Sequence, residues 1–186
     1  MQRHAAIARA WVDEGRTAAV VRVIDAAGLG PRPTEELLFV DEAGRADGSL
    51  LGGVVDDVVT AAARGLLATP DRHTATFKLD VAEEDAENAG LTCGGYVHVL
   101  VQRLDDVPPA LWDALANGRP AALATTLDGN PGAVVHRPGQ PPQGTLGSPD
   151  LDERARTTAA PLLARPGHHV TRARLDETEL LVEAWH

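Results

Sequence analysis

The sequence predicts an α/β fold of the mixed α+β kind: two pseudo-symmetric ββαββ units forming a mixed sheet with flanking helices. Three observations lead there. Strand-length apolar runs alternate with longer runs of helical period. Residues 48–79 align with 144–175 at a fixed offset of 96 without a gap, with ten identities in 32 positions, among them Gly48/Gly144, Leu50/Leu146, Asp56/Asp152, Leu66/Leu162 and His73/His169. That is more than an Ala- and Leu-rich composition gives by chance, and it marks an internal repeat. Finally, 186 residues, 44% hydrophobic and 24% charged, suffice for one domain whose core is shared by two lobes. The whole chain reads as one domain with internal units at about 15–105 and 118–186.

The elements follow in order. "HAAIARAWVDEGR" is a short helix with Ile7 and Trp11 four apart, closed by Gly15. "TAAVVRVIDAAG" (17–28) is a strand rich in β-branched residues, and "GLGPRPTE" (28–35) a loop, because Pro31 and Pro33 fix φ and lack donors. "ELLFVDEAGR" adds a strand and a turn. The next helix carries Val55, Val58, Val59, Ala62 and Leu66 on one face, between Gly52–Gly53 and Pro70. Strands are expected at about 73–79 and 96–104, with the acidic run "AEEDAEN" (82–88) between them as a solvated loop. The second half repeats the order: a helix near 108–117, then "AALATTLDG", "GAVVHRPG", the helical "DLDERARTTAAPLLARP", "HHVTRARL" and "ELLVEAWH".

Composition excludes several classes of partner. A net charge of −10 and only 3% aromatic residues oppose phosphate backbones, base stacking and anionic lipid, so neither nucleic acid nor membrane is expected. One cysteine forms no internal disulfide, no leader pattern follows Met1, and no apolar run approaches the roughly 20 residues of a membrane span. The expected compartment is the cytoplasm.

Residues with chemical potential concentrate in the first unit. Cys93 stands before Gly94 and Gly95 at the start of a strand. Glycines let backbone N–H groups approach a ligand, and a thiolate is a soft ligand or a sulfur relay. The alternative is a small buried hydrophobe at a tight turn. Gly52–Gly53 before a helix is either a phosphate cradle or a plain helix start, and Asp56 and Asp57 in the first turn oppose an anion there. Arg32, between two prolines, is either a phosphate partner or a solvated loop residue. His98 shares a strand face with Tyr96, while the neighbours His168 and His169 point to opposite faces and cannot hold one ion together. No C-x-x-C, H-E-x-x-H or G-x-S-x-G pattern occurs.

Taken together, "GRTAAVVRVIDAAGLGPRP", "DGSLLGGVVDD" and "GLTCGGYVHVLVQ" resemble the XdhC/CoxI family, accessory proteins of molybdenum hydroxylases such as xanthine dehydrogenase and carbon monoxide dehydrogenase. The resemblance spans about residues 15–105, and "LTCGG" is its most specific motif. It implies a chaperone more than a catalyst: a protein that binds molybdenum cofactor (molybdopterin) as cargo and delivers it to an apo molybdenum hydroxylase. The implied cofactor-binding residues are Arg32, Ser49, Gly52, Gly53, Asp56, Cys93, Gly94 and Gly95, with Cys93 as the metal ligand. A longer family member or a sulfurtransferase is an implied partner. An uncovered strand edge would be met by a second chain in a homodimer.

Two features depart from the family pattern. Val54 stands where members carry a second cysteine, and the chain shows no C-terminal dinucleotide-binding motif, so it reads as a short form. The rival readings are an interaction subunit that keeps the fold without the cofactor, and a small enzyme with Cys93 as nucleophile, for which no base partner is evident.

Overall fold

A computed structural model describes residues 1–30 and 36–186. The chain divides into two compact units, Arg16–Leu104 and Met1–Gly15 together with Asp105–His186.

In the Arg16–Leu104 unit, β1 (Ala18–Gly28), β2 (Leu37–Asp41) and β3 (Ala46–Gly48) form a meander, α2 (Asp56–Leu67) follows, and β4 (Thr74–Val81) leads through α3 (Glu83–Asn88) to β5 (Gly95–Arg103). The sheet order is β3-β2-β1-β5-β4. The other unit holds α1 (Gln2–Asp13), which packs on α4 (Pro109–Ala116). Its remaining elements are β6 (Ala121–Thr126), β7 (Ala133–His136), β8 (Gln143–Thr145), α5 (Pro149–Leu163), β9 (His168–Leu175) and β10 (Thr178–Trp185), in sheet order β8-β7-β6-β10-β9. The two topologies are identical, so the α+β class and the repeat are borne out.

The sheets differ from expectation in two respects. Each unit carries its own five-stranded sheet, antiparallel at every described pairing, in place of one mixed sheet. The physical reason is where the helix crosses. Parallel neighbours arise when a crossover returns the chain beside the strand it left; here α2 joins β3 to β4 and α5 joins β8 to β9, which are opposite edges. Each unit also gains a three-residue edge strand, β3 or β8, too short to show a period in the sequence.

The cores are aliphatic. Val59, Ala63, Leu66 and Leu67 of α2 cover Ala19, Val21, Val40, Val97, Val99 and Val101 of the sheet. Each fully buried valine or leucine contributes about 1.5–3 kcal/mol of transfer free energy. Val58 is 56% exposed, contrary to the helical face expected of it. At 100° per residue the buried arc of 55, 59, 63, 66 and 67 centres about 100° away from it. The opposite sheet face is buried as well, including Val20, Phe39 and Leu100, which is why β1 reads as a continuous apolar run. Two polar side chains there meet each other: Arg22 Nη2 donates to Gln102 Oε1 at 2.7 Å.

The acidic run 82–88 is a helix rather than a loop. Glu83, Glu84 and Asp85 occupy its first turn, where carboxylates favour the positive dipole end, and Ala86 is fully buried. In the second unit Ala155 and Ala159 of α5 pack on Ala122, Ala124, Leu180 and Val182. His168 stacks on Trp185 with ring centroids 5.1 Å apart, while His169 Nε2 donates to Pro166 O at 2.9 Å, so the neighbouring histidines serve separate structural contacts.

The repeat reaches individual hydrogen bonds. Leu50 N donates to Asp56 Oδ1 at 2.9 Å, and Leu146 N to Asp152 Oδ1 at 2.7 Å, both pairs 96 residues apart. Gly48 and Gly144 have φ of +96° and +86°, and a Cβ on either would lie 2.1 or 2.2 Å from the carbonyl oxygen of Leu37 or Ala133, again equivalent positions. Only glycine fits such a crossing.

Two predictions follow from these units. Asp56→Ala and Asp152→Ala should each leave one part-buried N–H unpaired and lower unfolding free energy by about 1–3 kcal/mol in a denaturant titration. The second concerns His136, 8% exposed at the end of β7, in the position that Val40 occupies in the first unit. Burial lowers its pKa from the ordinary 6.5; the Asp152 carboxylate opposes this, Arg156 adds to it and Glu153 opposes it. The unfolded chain therefore takes up a proton that the folded chain resists, so stability falls as pH drops below 6.5. His136→Val should flatten this part of a melting-temperature profile against pH.

Candidate functional site

Three segments of the Arg16–Leu104 unit meet where β1 ends, β5 begins and α2 starts. Chain entering β5 is common to all. Its Ala89 faces Gly52, its Thr92 faces Gly30, and its Gly94 faces Gly28.

Backbone crowding dictates the glycines. Gly28 pairs with Gly95 across β1 and β5; a Cβ on Gly28 would sit 2.4 Å from Gly94 O, and one on Gly95 would sit 2.1 Å from Ala27 O. Leu29, fully buried, has φ of 63° and donates its N–H to Gly94 O at 3.4 Å. A Cβ on Gly94 would lie 2.8 Å from Val81 O. Both glycines that follow Cys93 thus face protein backbone through their missing side chains. Cys93 itself lies half-buried in the bend before β5, as a free thiol.

The start of α2 is also self-contained. Leu51, Gly52 and Gly53 all have positive φ, at 53°, 67° and 95°. Leu50 N is held by Asp56, Leu51 N donates to Glu36 Oε2 at 2.7 Å, and Gly53 N donates to Leu50 O at 2.9 Å. Two carboxylates therefore take N–H groups that a phosphate would need. The hydroxyl of Ser49 and Asp56 Oδ2 flank Gly53, each 3.7 Å from the place of a Cβ. In the second unit Thr145, equivalent to Ser49, donates its hydroxyl to Asp152 at 2.9 Å. Asp56 and Ser49 accordingly have scaffold counterparts in a unit that lacks the Cys-Gly-Gly motif. Glu36 was not legible as part of this turn, since its equivalent is Gly132 and the repeat offers no signal for it.

Val54 packs against the core and supplies no thiol. His98 Nδ1 lies 3.8 Å from Asp25 Oδ2, and the His98 ring is 5.4 Å from Tyr96, over which Lys78 Nζ sits at 4.5 Å; the shared strand face is confirmed. Arg32 lies outside the described residues. Among the described residues no three His, Cys, Asp or Glu side chains group as a metal site. Chemically the arrangement offers one soft sulfur on a backbone-braced bend, and, on the segment that Ala89 approaches, a turn lined by a hydroxyl and a carboxylate.

A protein of two repeated α+β units with one glycine-braced thiol site is the class that these features define. Residues 11–78 match the XdhC and CoxI family, which bears out the resemblance read from the motifs over that span. The matched span includes Gly28, Gly30 and the start of α2. The fold is similar to that of a Bacillus halodurans protein described as a xanthine dehydrogenase, with a TM-score of 0.63 and 16% identity, over 97% of this chain and 52% of that one. The chain thus spans about half the length of that relative. No curated protein matches the chain. No described helix is long and apolar enough to cross a membrane.

The crowding at Gly95 is directly testable. Gly95→Ala should destabilise by about 1–3 kcal/mol, because the new methyl group meets a backbone oxygen in a packed sheet. Gly90→Ala, with φ of +78° and nothing within 4 Å of the new atom, should show only the left-handed backbone penalty of about 1–2 kcal/mol. Urea titration of both variants compares a clash with pure backbone strain.

Proposed function

We propose that this chain is an accessory protein in the maturation of molybdenum hydroxylases of the xanthine dehydrogenase or carbon monoxide dehydrogenase type, carrying molybdenum cofactor as cargo to the apo enzyme. The observation that carries this reading is the family match over residues 11–78 together with the meeting of its two glycine turns on the segment that bears Cys93. A carrier must bind, shield and release. A half-buried thiol suits that task, because sulfur is a soft ligand for a late-bound metal and exchanges without needing a closed cage. Ser49 and the space above Gly53 offer a hydroxyl and room for a small polar group, whereas Asp56 repels a phosphate and acts by holding the turn. Partners on this reading are the apo hydroxylase, a longer family member or a sulfurtransferase, and a second copy of the chain.

A second reading is favoured by one observation. The N–H groups of Leu50 and Leu51 are already held by carboxylates, and the partly buried Val54 packs against the core. An interaction subunit that docks on a hydroxylase or on a longer relative needs neither cofactor nor thiol.

Protein purified from a cofactor-producing host separates the two. The carrier reading expects bound molybdenum by elemental analysis and pterin fluorescence, loss of both in Cys93→Ala with an unchanged melting temperature, and slower alkylation of Cys93 once cofactor is added. Absence of molybdenum and pterin, with alkylation indifferent to cofactor, would overturn it in favour of the interaction subunit.

A further inference from the structure

The second unit holds, outside the residues of the family match, a cavity of about 280 Å³ between the end of α4 and the segment after β7. Arg119 and Arg137 both line it, with Gln140 at its rim and Pro120 and Pro138 as apolar walls. Among the described residues neither guanidinium has a hydrogen-bond or ion-pair partner, and Arg137 Nε is buried without one. That is unexpected in a chain with 27 acidic residues against 17 Lys and Arg, where carboxylate partners abound.

A helix terminus does not account for these arginines. Cations do favour the C-terminal end of a helix. The last carbonyls of α4 are nevertheless satisfied by other groups: Ala114 O accepts from Asn117 N at 3.1 Å and Arg119 N at 2.9 Å, Leu115 O from Gly118 N at 3.1 Å, and Asp113 O from Asn117 Nδ2 at 2.7 Å. Asp113 also lines the cavity, and its carboxylate has a cation of its own, Arg9 Nε at 3.4 Å. The two remaining guanidinium groups leave the cavity electropositive within an acidic protein.

We infer that this cavity binds the oxyanion of a small organic molecule, a phosphate monoester or a carboxylate, gripped by the guanidinium groups of Arg119 and Arg137. Planar guanidinium donors match both oxyanions by paired N–H···O bonds. The volume lies at the lower edge of the range of about 300–1,000 Å³ typical of ligand pockets, which suits a molecule of a few carbons whose apolar part rests on the prolines. Gln140 offers an amide for orientation.

Isothermal titration of the full chain with inorganic phosphate and, separately, with malonate, at ionic strength held constant with sodium chloride, tests this. Saturable binding with a Kd of about 1 mM or tighter is expected for at least one probe. Preference for phosphate identifies a phosphoryl ligand and preference for malonate a carboxylate. Arg119→Gln and Arg137→Gln should each weaken binding about tenfold or more. Asp113→Asn should tighten it, because a carboxylate leaves the wall. Melting temperatures without anion should stay near wild type, since neither guanidinium holds a protein partner. Should Arg137→Gln fail to fold, the exposed Arg119 decides alone. No saturation with either probe up to about 10 mM, or binding that Arg119→Gln leaves unchanged, overturns the proposal.

Discussion

Everything in each unit depends on how the chain leaves the edge of its sheet and becomes the helix that covers it. The edge strand carries a glycine whose missing Cβ lets a neighbouring carbonyl pass, Gly48 at the end of β3 and Gly144 inside β8, and the helix then reaches back with an aspartate to hold the N–H of Leu50 or Leu146. This ties the start of α2 or α5 to the edge strand, and the buried alanine, valine and leucine faces of helix and sheet pack from there. An N–H left unpaired at so crowded a place would cost as much as a small core cavity, which gives the same bond to both halves of a chain whose sequences have otherwise diverged.

The thiol site grows from the same kind of constraint. Its glycines bring backbone against backbone, Gly28 on Gly95 and Gly52 toward Ala89, and so brace the bend that carries Cys93. On the proposed carrier reading, a ligand there would meet a stiff rim rather than an open row of N–H donors. Such a rim suits a cargo protein whose grip must be limited, since a site with every donor aimed at the ligand would release it slowly. It equally suits a scaffold with no cargo, and the difference rests on the sulfur alone.

Both units are net acidic, yet charge is spread unevenly within them. Around the start of α2 carboxylates predominate, with Glu36 and Asp56 both turned onto backbone N–H groups. Beside α4 two guanidinium groups line a cavity without a hydrogen-bond or ion-pair partner among the described residues. The net charge of −10 conceals this difference, because it sums over the whole sequence.

Much of the fold was legible in the residues themselves. Hydrophobic period and turn chemistry are local properties, so the helix after Gly53, the strands of both halves and the offset of 96 could be read without coordinates, and the Cys93, Gly28 and Gly52–Gly53 motifs marked the segments that meet. What the sequence could not contain was which strand lies beside which. Antiparallel order arises from a helix crossing between opposite edges, a long-range outcome with no local signature. The same holds for side-chain roles: Gly94 and Gly95 read as openings for a ligand until their neighbours were known to be Val81 O and Ala27 O, and Glu36 had no role until Leu51 N was placed beside it. Sequence alone determined the longer elements and the repeat; tertiary structure decided the short edge strands, the helix at 83–88 and the partners, because a hydrogen bond or a clash depends on positions that only the folded chain brings together.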